Sequence, residues 1–477
     1  MIESAGVSPE PAGLKRALGL RDVVLFFVTT GTNLQWVATA GAAGPSALTI
    51  WVLGALAMFI PLAACVVEMS SRHPQEGGLY VWTRTAFGPF AGFITGWTYW
   101  CSNLPYFPGV LYFAAGSLLY AGGEDVRALS TNGTYFIAFS LFGLTLATLL
   151  NVFGLEQGKW LNNVGGITRW LATLVLLGIG GMAFIALGPA TPITARSLLP
   201  GLSLRDVAFF SAIAFAWTGS ETASFMGDEI RNPRRTVPRA LLMAAPMIAA
   251  IYLLGTLSVL VALPAQEVTG LQGVMQAVER AAARLALDWV TPVAAVLMTV
   301  TSLGSVGAWL GAVARIPFAA GLDRSLPAGF GRLHPRWGTP VNALLTQSLL
   351  TVVFVVAGQA GTSVRGAYEV MLSMTFLITF IPFLFTFAAT IKLATEPPGP
   401  DGWRVKRRVL VPLAVVGFLT TAFSIVLAAL PAPGEPNKTL AVVKVVGGTV
   451  VILGAGVVAY VLGRRKAAAE AAASAGA

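Results

Sequence analysis

Thr29, Thr30, Gly31, Thr32, Asn33 and Gln35 interrupt the otherwise apolar stretch VVLFFVTTGTNLQWVATAGAAG. A second interruption, Thr218-Gly219-Ser220 followed by Glu221, cuts an apolar run that begins at Val207. Neither pairs a nucleophile with a base, so the chemistry they suit is recognition. Hydroxyls, carboxamides and backbone groups freed from a helix ladder can hold a small polar solute. Gly and Thr also serve as adhesion between helices, and that use stays open. Two ionisable residues stand out beside these stretches. Arg169, in NNVGGITRWLATLVLL, offers a fixed cation with a structural or coupling role, and Glu221 offers either a titrating carboxyl or a permanent partner for a helix end.

Other chemistries find little support. Cys65 and Cys101 fall within apolar runs and His73 and His334 within predicted loops, so these four form neither a metal-ligand spacing nor a disulfide framework. No Gly-rich phosphate loop, zincin helix or nucleophile elbow occurs, which argues against an enzyme, and no cofactor or metal is expected.

The elements that position these residues follow from composition. Of 477 residues, 56% are hydrophobic and 11% charged, whereas soluble domains carry about 25% charged residues. Val23 to Val67 hold no charge, room for two spans with a turn at Gly44-Pro45-Ser46. Further uncharged runs follow along the chain, including Thr85–Gly123, Ala128–Leu155, Trp170–Ala195, Ala240–Gln266 and Val445–Gly463. With the shorter run from Val207 they predict an all-α, polytopic membrane protein of about twelve spanning helices. Long apolar runs, not alternating ten-residue segments, imply a helical bundle and not a barrel. Glu68 is placed at the cytoplasmic edge of a span and Arg169 near the start of one.

The net charge of +10 fits topology. With the amino terminus inside, 22 of the 31 Lys and Arg residues fall on the cytoplasmic side and eight outside, with Arg169 in a span. This positive-inside asymmetry accounts for the basic character, predicts a multi-pass plasma (inner) membrane protein with both termini cytoplasmic, and leaves no need for a nucleic-acid partner. The expected partners are a small solute, the lipid bilayer and protons.

Repetition is faint but ordered. Leu20-Arg21-Asp22-Val23 recurs as Leu204-Arg205-Asp206-Val207, an offset of 184 residues or about five spans. An odd number of spans starts the second copy from the opposite side, as an inverted repeat requires. The expected organisation is a tail over 1–20, one transporter domain over 21–465 and a tail over 466–477. Within the domain, repeats lie at about 21–190 and 203–393, followed by extra helices at about 405–465.

Three stretches carry a family resemblance. EMSSRHPQEGGLYVWTRTAFGPFAGFITGWTYW, from Glu68, holds a Pro-x-x-Gly-Gly turn and Ala-Phe-Gly before a Gly-Trp span. FAWTGSETASFMGDEIRNPRRTVPRA, from Phe215, holds Gly-x-Glu-x-Ala and then Glu-x-x-Asn-Pro-x-Arg-x-x-Pro. ARIPFAAGLDRSLPAGF, from Ala314, is an Arg-containing loop ending in Leu-Pro. Over roughly 15–465 the chain resembles the amino acid–polyamine–organocation (APC) permeases. The resemblance implies a five-plus-five inverted repeat with broken first and sixth helices plus two extra helices. It implies a solute carboxylate at the first break, near Thr30, Gly31, Thr32, Asn33 and Gln35, and an amine at the sixth, near Phe215, Ala216, Thr218 and Gly219, with Phe215 as an aromatic gate. Glu221 matches the family's Glu, and Arg169 stands where many members have a Lys that replaces a sodium ion. The family's usual Gly-Ser-Gly-Ile-Phe break is replaced here by TTGTNLQW.

The function expected is secondary active transport of an amino acid or related amine by alternating access, independent of sodium and driven by protons or exchange. A polyamine or ω-amino-acid permease and a channel are the alternatives within transport, and a membrane-embedded enzyme or a non-transporting amino-acid receptor the alternative from another class.

Overall fold

The computed structural model describes residues 18–73, 77–153, 155–201, 204–222, 224, 230–317, 326–327, 329–396, 404–431 and 437–475. The third resemblance stretch largely falls outside these residues, as do Ala223 and 225–229 of the second. Among the described residues the chain is helical, with a single isolated β-bridge between Leu18 and Ile230.

The first span is two half-helices, α1 (Leu20–Gly31) and α2 (Leu34–Gly41). Gly44 then takes a φ of +79° in the predicted Gly-Pro-Ser turn, conformational freedom that glycine has and other residues lack. There follow α3 (Ser46–Arg72), α4 (Leu79–Phe87), α5 (Pro89–Leu118), α6 (Gly133–Val152) and α7 (Leu155–Leu187). The second half runs α8 (Leu204–Ala216), α9 (Pro233–Ala262), α10 (Gly273–Arg284), α11 (Val290–Val313), α12 (Val341–Gln359) and α13 (Val364–Leu393). Two more, α14 (Arg407–Ala428) and α15 (Lys438–Lys466), close the bundle. Among the described residues eleven helices are long and apolar enough to span a membrane. The twelfth expected span is α8, which stops after 13 residues at the second interruption.

The two copies of Leu-Arg-Asp-Val open α1 and α8, the first halves of the two interrupted spans. Burial ranks the helices by position. In α5 the span is 83% buried and in α13 78%, whereas α14 and α15 are 28% and 22% buried. Helices that face lipid keep apolar residues exposed, as Leu419, Phe423, Val450 and Val451 do. Most of the buried apolar side chains form one continuous core around α5, α9, α11 and α13.

For two residues the structure adds burial to the expected placement. Arg169 lies inside α7, in the span Val164–Leu187, and is 7% exposed, so it points into the bundle and does not snorkel to the surface. Glu68 sits at the end of α3 as expected, yet it is buried. It pairs with Arg72 at 2.7 Å and accepts the Val405 N–H at 2.8 Å, while Arg72 donates to the Leu393 and Glu396 carbonyls. The ends of α3 and α13 are thereby tied to the chain entering α14. His73 caps α3 beside this cluster, and burial holds its imidazole below its ordinary pKa.

Candidate functional site

The first break is built by competing hydrogen bonds. Thr30 Oγ1 donates to the Phe26 carbonyl at 2.9 Å and Thr32 Oγ1 to Val28 at 2.6 Å, bonds that turn side chains back onto the α1 backbone. Thr32 and Asn33 then run extended, at φ −125° and −143°. Asn33 restarts the helix as the amino-terminal cap of α2, its Oδ1 accepting the Gln35 N–H at 3.2 Å. The carbonyls released at the end of α1 are met from other helices. Tyr252 Oη on α9 donates to Gly31 O at 2.9 Å. Arg169 Nη1 donates to Thr32 O at 2.6 Å, and its Nη2 bonds Ser305 Oγ on α11.

The second break uses a glycine and a carboxylate. After α8 ends, the Thr218 N–H and Oγ1 both donate to Phe215 O, at 2.9 and 2.7 Å. Gly219 then adopts φ +112°, and a Cβ there would lie 3.3 Å from both Gly31 Cα and Thr30 O. The two breaks therefore touch through backbone, and only glycine fits between them. Glu221 Oε2 accepts the Gly219 N–H at 2.8 Å and Oε1 accepts the Tyr99 hydroxyl at 2.9 Å. Thr222 and Thr30 hydroxyls meet at 3.3 Å across the contact. Tyr252 completes the cross-tie, since its hydroxyl also lies 3.2 Å from Ala216 O, the last residue of α8.

A pocket opens between the breaks. Thr30, Thr32, Asn33, Arg169, Phe215, Ala216, Thr218, Gly219 and Glu221 line it. Gly31 stands behind the wall with its carbonyl on Tyr252. Gln35 is not part of the lining. Its side chain is fully buried and neither Nε2 nor Oε1 has a hydrogen-bond partner. Its neighbour Trp36 faces the cavity instead.

Sequence reasoning missed the aromatic and hydroxyl wall: Trp36, Tyr99, Tyr106, Tyr252 and Trp309, with Ser102, Asn103, Thr375 and Thr379. Phe215 packs on Phe376 at 4.8 Å and edge-on to Trp36 at 5.2 Å. Tyr106 stands 6.4 Å from Phe215 and from Trp309, and its hydroxyl accepts from Asn33 Nδ2 at 3.4 Å. Tyr99 and Tyr106 share α5, a spacing that could have marked a polar face, but Tyr252 and Trp309 sit in apolar runs with no such signal. Among the described residues no three His, Cys, Asp or Glu side chains gather to hold a metal ion. Donors, acceptors and rings converge on this pocket, an arrangement that could hold a small polar solute.

Comparison with known proteins agrees with this geometry. The amino acid permease family model matches residues 18–453. An uncharacterized transporter of Legionella pneumophila is 28% identical over 431 residues, covering 89% of this chain and 92% of its own. A probable agmatine/putrescine antiporter of Lactococcus lactis is 23% identical, covering 81% and 82%. A glutamate/gamma-aminobutyrate antiporter from the same species is 25% identical, covering 80% and 77%. The solved structure of MhsT in complex with L-phenylalanine superposes with a TM-score of 0.56 at 13% identity, covering 85% of this chain and 98% of that one. That likeness extends to the fold alone, the inverted repeat with interrupted first and sixth helices. Family match, fold and relatives agree on an integral, multi-pass membrane transporter, and the chain belongs to the amino acid permease family.

Proposed function

We propose that this protein is a secondary active transporter that moves an amino acid or a related amine by alternating access without sodium. The observation that carries the reading is the meeting of two helix breaks at one cavity, cross-tied by the Tyr252 hydroxyl. A solute bound there contacts both repeats, so repacking one repeat bundle against the other opens the site to alternate sides. The named relatives, antiporters of agmatine/putrescine and of glutamate/gamma-aminobutyrate, support a small amine-bearing solute and exchange as the mode.

Sodium independence rests on Arg169. Its guanidinium takes up Thr32 O and Ser305 Oγ, two oxygens of the kind a sodium ion would need, and supplies the positive charge itself. Glu221 is the proton-coupling candidate. Both its oxygens accept hydrogen bonds, so a proton arriving on Oε1 reverses the bond to Tyr99, making the tyrosine the acceptor and loosening the second break. The basic asymmetry supports a plasma-membrane orientation with both termini cytoplasmic.

Reconstitution of the full chain in proteoliposomes tests the reading. Saturable uptake that is stimulated by solute on the far side, and unchanged when choline replaces sodium, is expected. Flux that neither saturates nor shows counterflow would indicate a channel, and ligand binding without any flux a receptor.

A further inference from the structure

Lys406, Arg407 and Arg408 stand in a row where the chain enters α14, and all are exposed. Among the described residues none of them pairs with a carboxylate. They do not serve the helix. Cations at the amino end of a helix oppose its dipole, and the first turn of α14 holds no acidic residue to offset them. The segment that presents them is nevertheless held in place. Glu68 Oε2 accepts the Val405 N–H at 2.8 Å, and Arg72, paired with Glu68, donates to the Leu393 and Glu396 carbonyls. The residue before the cations is thereby tied to the ends of α3 and α13, so their backbone is ordered before any ligand arrives.

Beyond the cations α14 offers an apolar strip. Arg408, Val415, Leu419 and Val426 fall on one face at helical spacing. Val415, Leu419 and Val426 are 40%, 61% and 62% exposed, whereas Leu410, Ala414, Gly417 and Thr421 are buried on the other side. From Arg408 to Leu419 the helix rises about 16 Å, half of a hydrocarbon core roughly 30 Å thick. A cationic head above an exposed apolar strip one leaflet long is the complement of an anionic phospholipid. We propose that the start of α14 binds such a lipid from the adjoining leaflet, the inner one in the orientation proposed above. Lys406, Arg407 and Arg408 hold its phosphate, the guanidinium forks matching the phosphate oxygens, and an acyl chain lies along Val415 and Leu419. A zwitterionic headgroup would bring its own cation to the same place and is disfavoured. The bound lipid sits on a helix that supports the second break, since Ser211 Oγ on α8 donates to Ser424 O at 3.2 Å and Phe210 meets Phe423 at 6.3 Å.

The test uses the full chain purified in an uncharged detergent, with thermal unfolding followed as dioleoylphosphatidylglycerol, dioleoylphosphatidylcholine or inorganic phosphate is titrated in. Phosphatidylglycerol should raise the unfolding temperature saturably by about 5 °C, because a ligand bound only by the folded state stabilises it, and the other two should move it by about 1 °C or less. Lys406→Gln, Arg407→Gln and Arg408→Gln together should abolish the shift. Arg464→Gln, Arg465→Gln and Lys466→Gln together, at the end of α15, should leave it intact. The absence of a shift with phosphatidylglycerol would overturn the proposal. So would an equal shift with phosphatidylcholine, which any lipid would then give, or with inorganic phosphate, which would mark a site for a soluble anion. A shift that survives the α14 exchange, or that the α15 exchange removes equally, would overturn it too, the latter by showing general attraction to basic residues. If the triple α14 variant fails to purify as a monodisperse protein, Arg408→Gln alone should cut the shift by about half and Arg408→Lys should restore most of it. An undiminished shift in Arg408→Gln would then overturn the proposal. None of these outcomes bears on the transport reading, which uptake in proteoliposomes tests separately.

Discussion

The two helix breaks solve one problem with opposite chemistry. Both expose backbone groups in the membrane interior, where an unsatisfied donor or acceptor is costly. At the first break the surplus carbonyls of Gly31 and Thr32 are answered by a phenol and a guanidinium, and Asn33 caps the restart with its own side chain. At the second, a left-handed glycine makes the turn and a carboxylate accepts its N–H. The Arg169 guanidinium thus stands at the first break and the Glu221 carboxyl at the second. These two side chains are bonded into the breaks, while the start of α2 and the end of α8 meet the neutral Asn33 and Tyr252 side chains.

Removing the cation should have the largest effect. Arg169→Ala withdraws charge-assisted bonds from Thr32 O and Ser305 Oγ, and at about 1.5–3 kcal/mol for each such bond uptake should fall about a hundredfold or more. Arg169→Lys, which keeps the charge and loses the fork, should be intermediate. Initial uptake rates at matched reconstitution check both. Tyr252→Phe cuts the cross-tie but keeps the ring, which stacks on Trp51 at 4.2 Å. Leaving the Gly31 and Ala216 carbonyls short of a donor costs about 1–3 kcal/mol, an expected loss of roughly tenfold in uptake with normal purification behaviour.

At the second break Glu221→Gln preserves shape and one acceptor. Uptake measured from acid to alkaline pH should become flatter than in the parent, with rates at the parent's optimum reduced by about tenfold or less. A profile of unchanged shape would make Glu221 purely structural. The smallest effect belongs to Asn33→Ala, which removes a neutral cap worth about 1 kcal/mol. An apparent affinity about fivefold weaker, read from uptake saturation, is expected.

These contrasts also show what the sequence discloses. Lipid exposure forces apolar runs, so the spans, the turn at Gly44-Pro45 and the two interruptions were visible as hydropathy and as polar residues out of place. Thr30, Asn33 and Glu221 stand out because polar residues are expensive at mid-membrane depth unless a cavity or a bond receives them. Tyr252 and Trp309 did not, because an aromatic residue inside an apolar helix reads as packing whether it faces core or cavity. Gln35 misled for the same reason in reverse. Its polarity suggested the site, yet the α2 turn carries it away and brings Trp36 round to the lining. The uncharged run that starts at Trp170 puts Arg169 near the start of a span, and it lies close to the start of Val164–Leu187, but that pattern does not disclose its burial.

We propose a transporter in which Arg169 does the work of a sodium ion where the two breaks meet. Its most direct test is counterflow of labelled L-leucine into proteoliposomes preloaded with unlabelled L-leucine, run in sodium and in choline buffers. Saturable, trans-stimulated uptake of equal size in both is predicted. Uptake that vanishes in choline, or flux that is indifferent to the preloaded solute, would contradict sodium-independent alternating access.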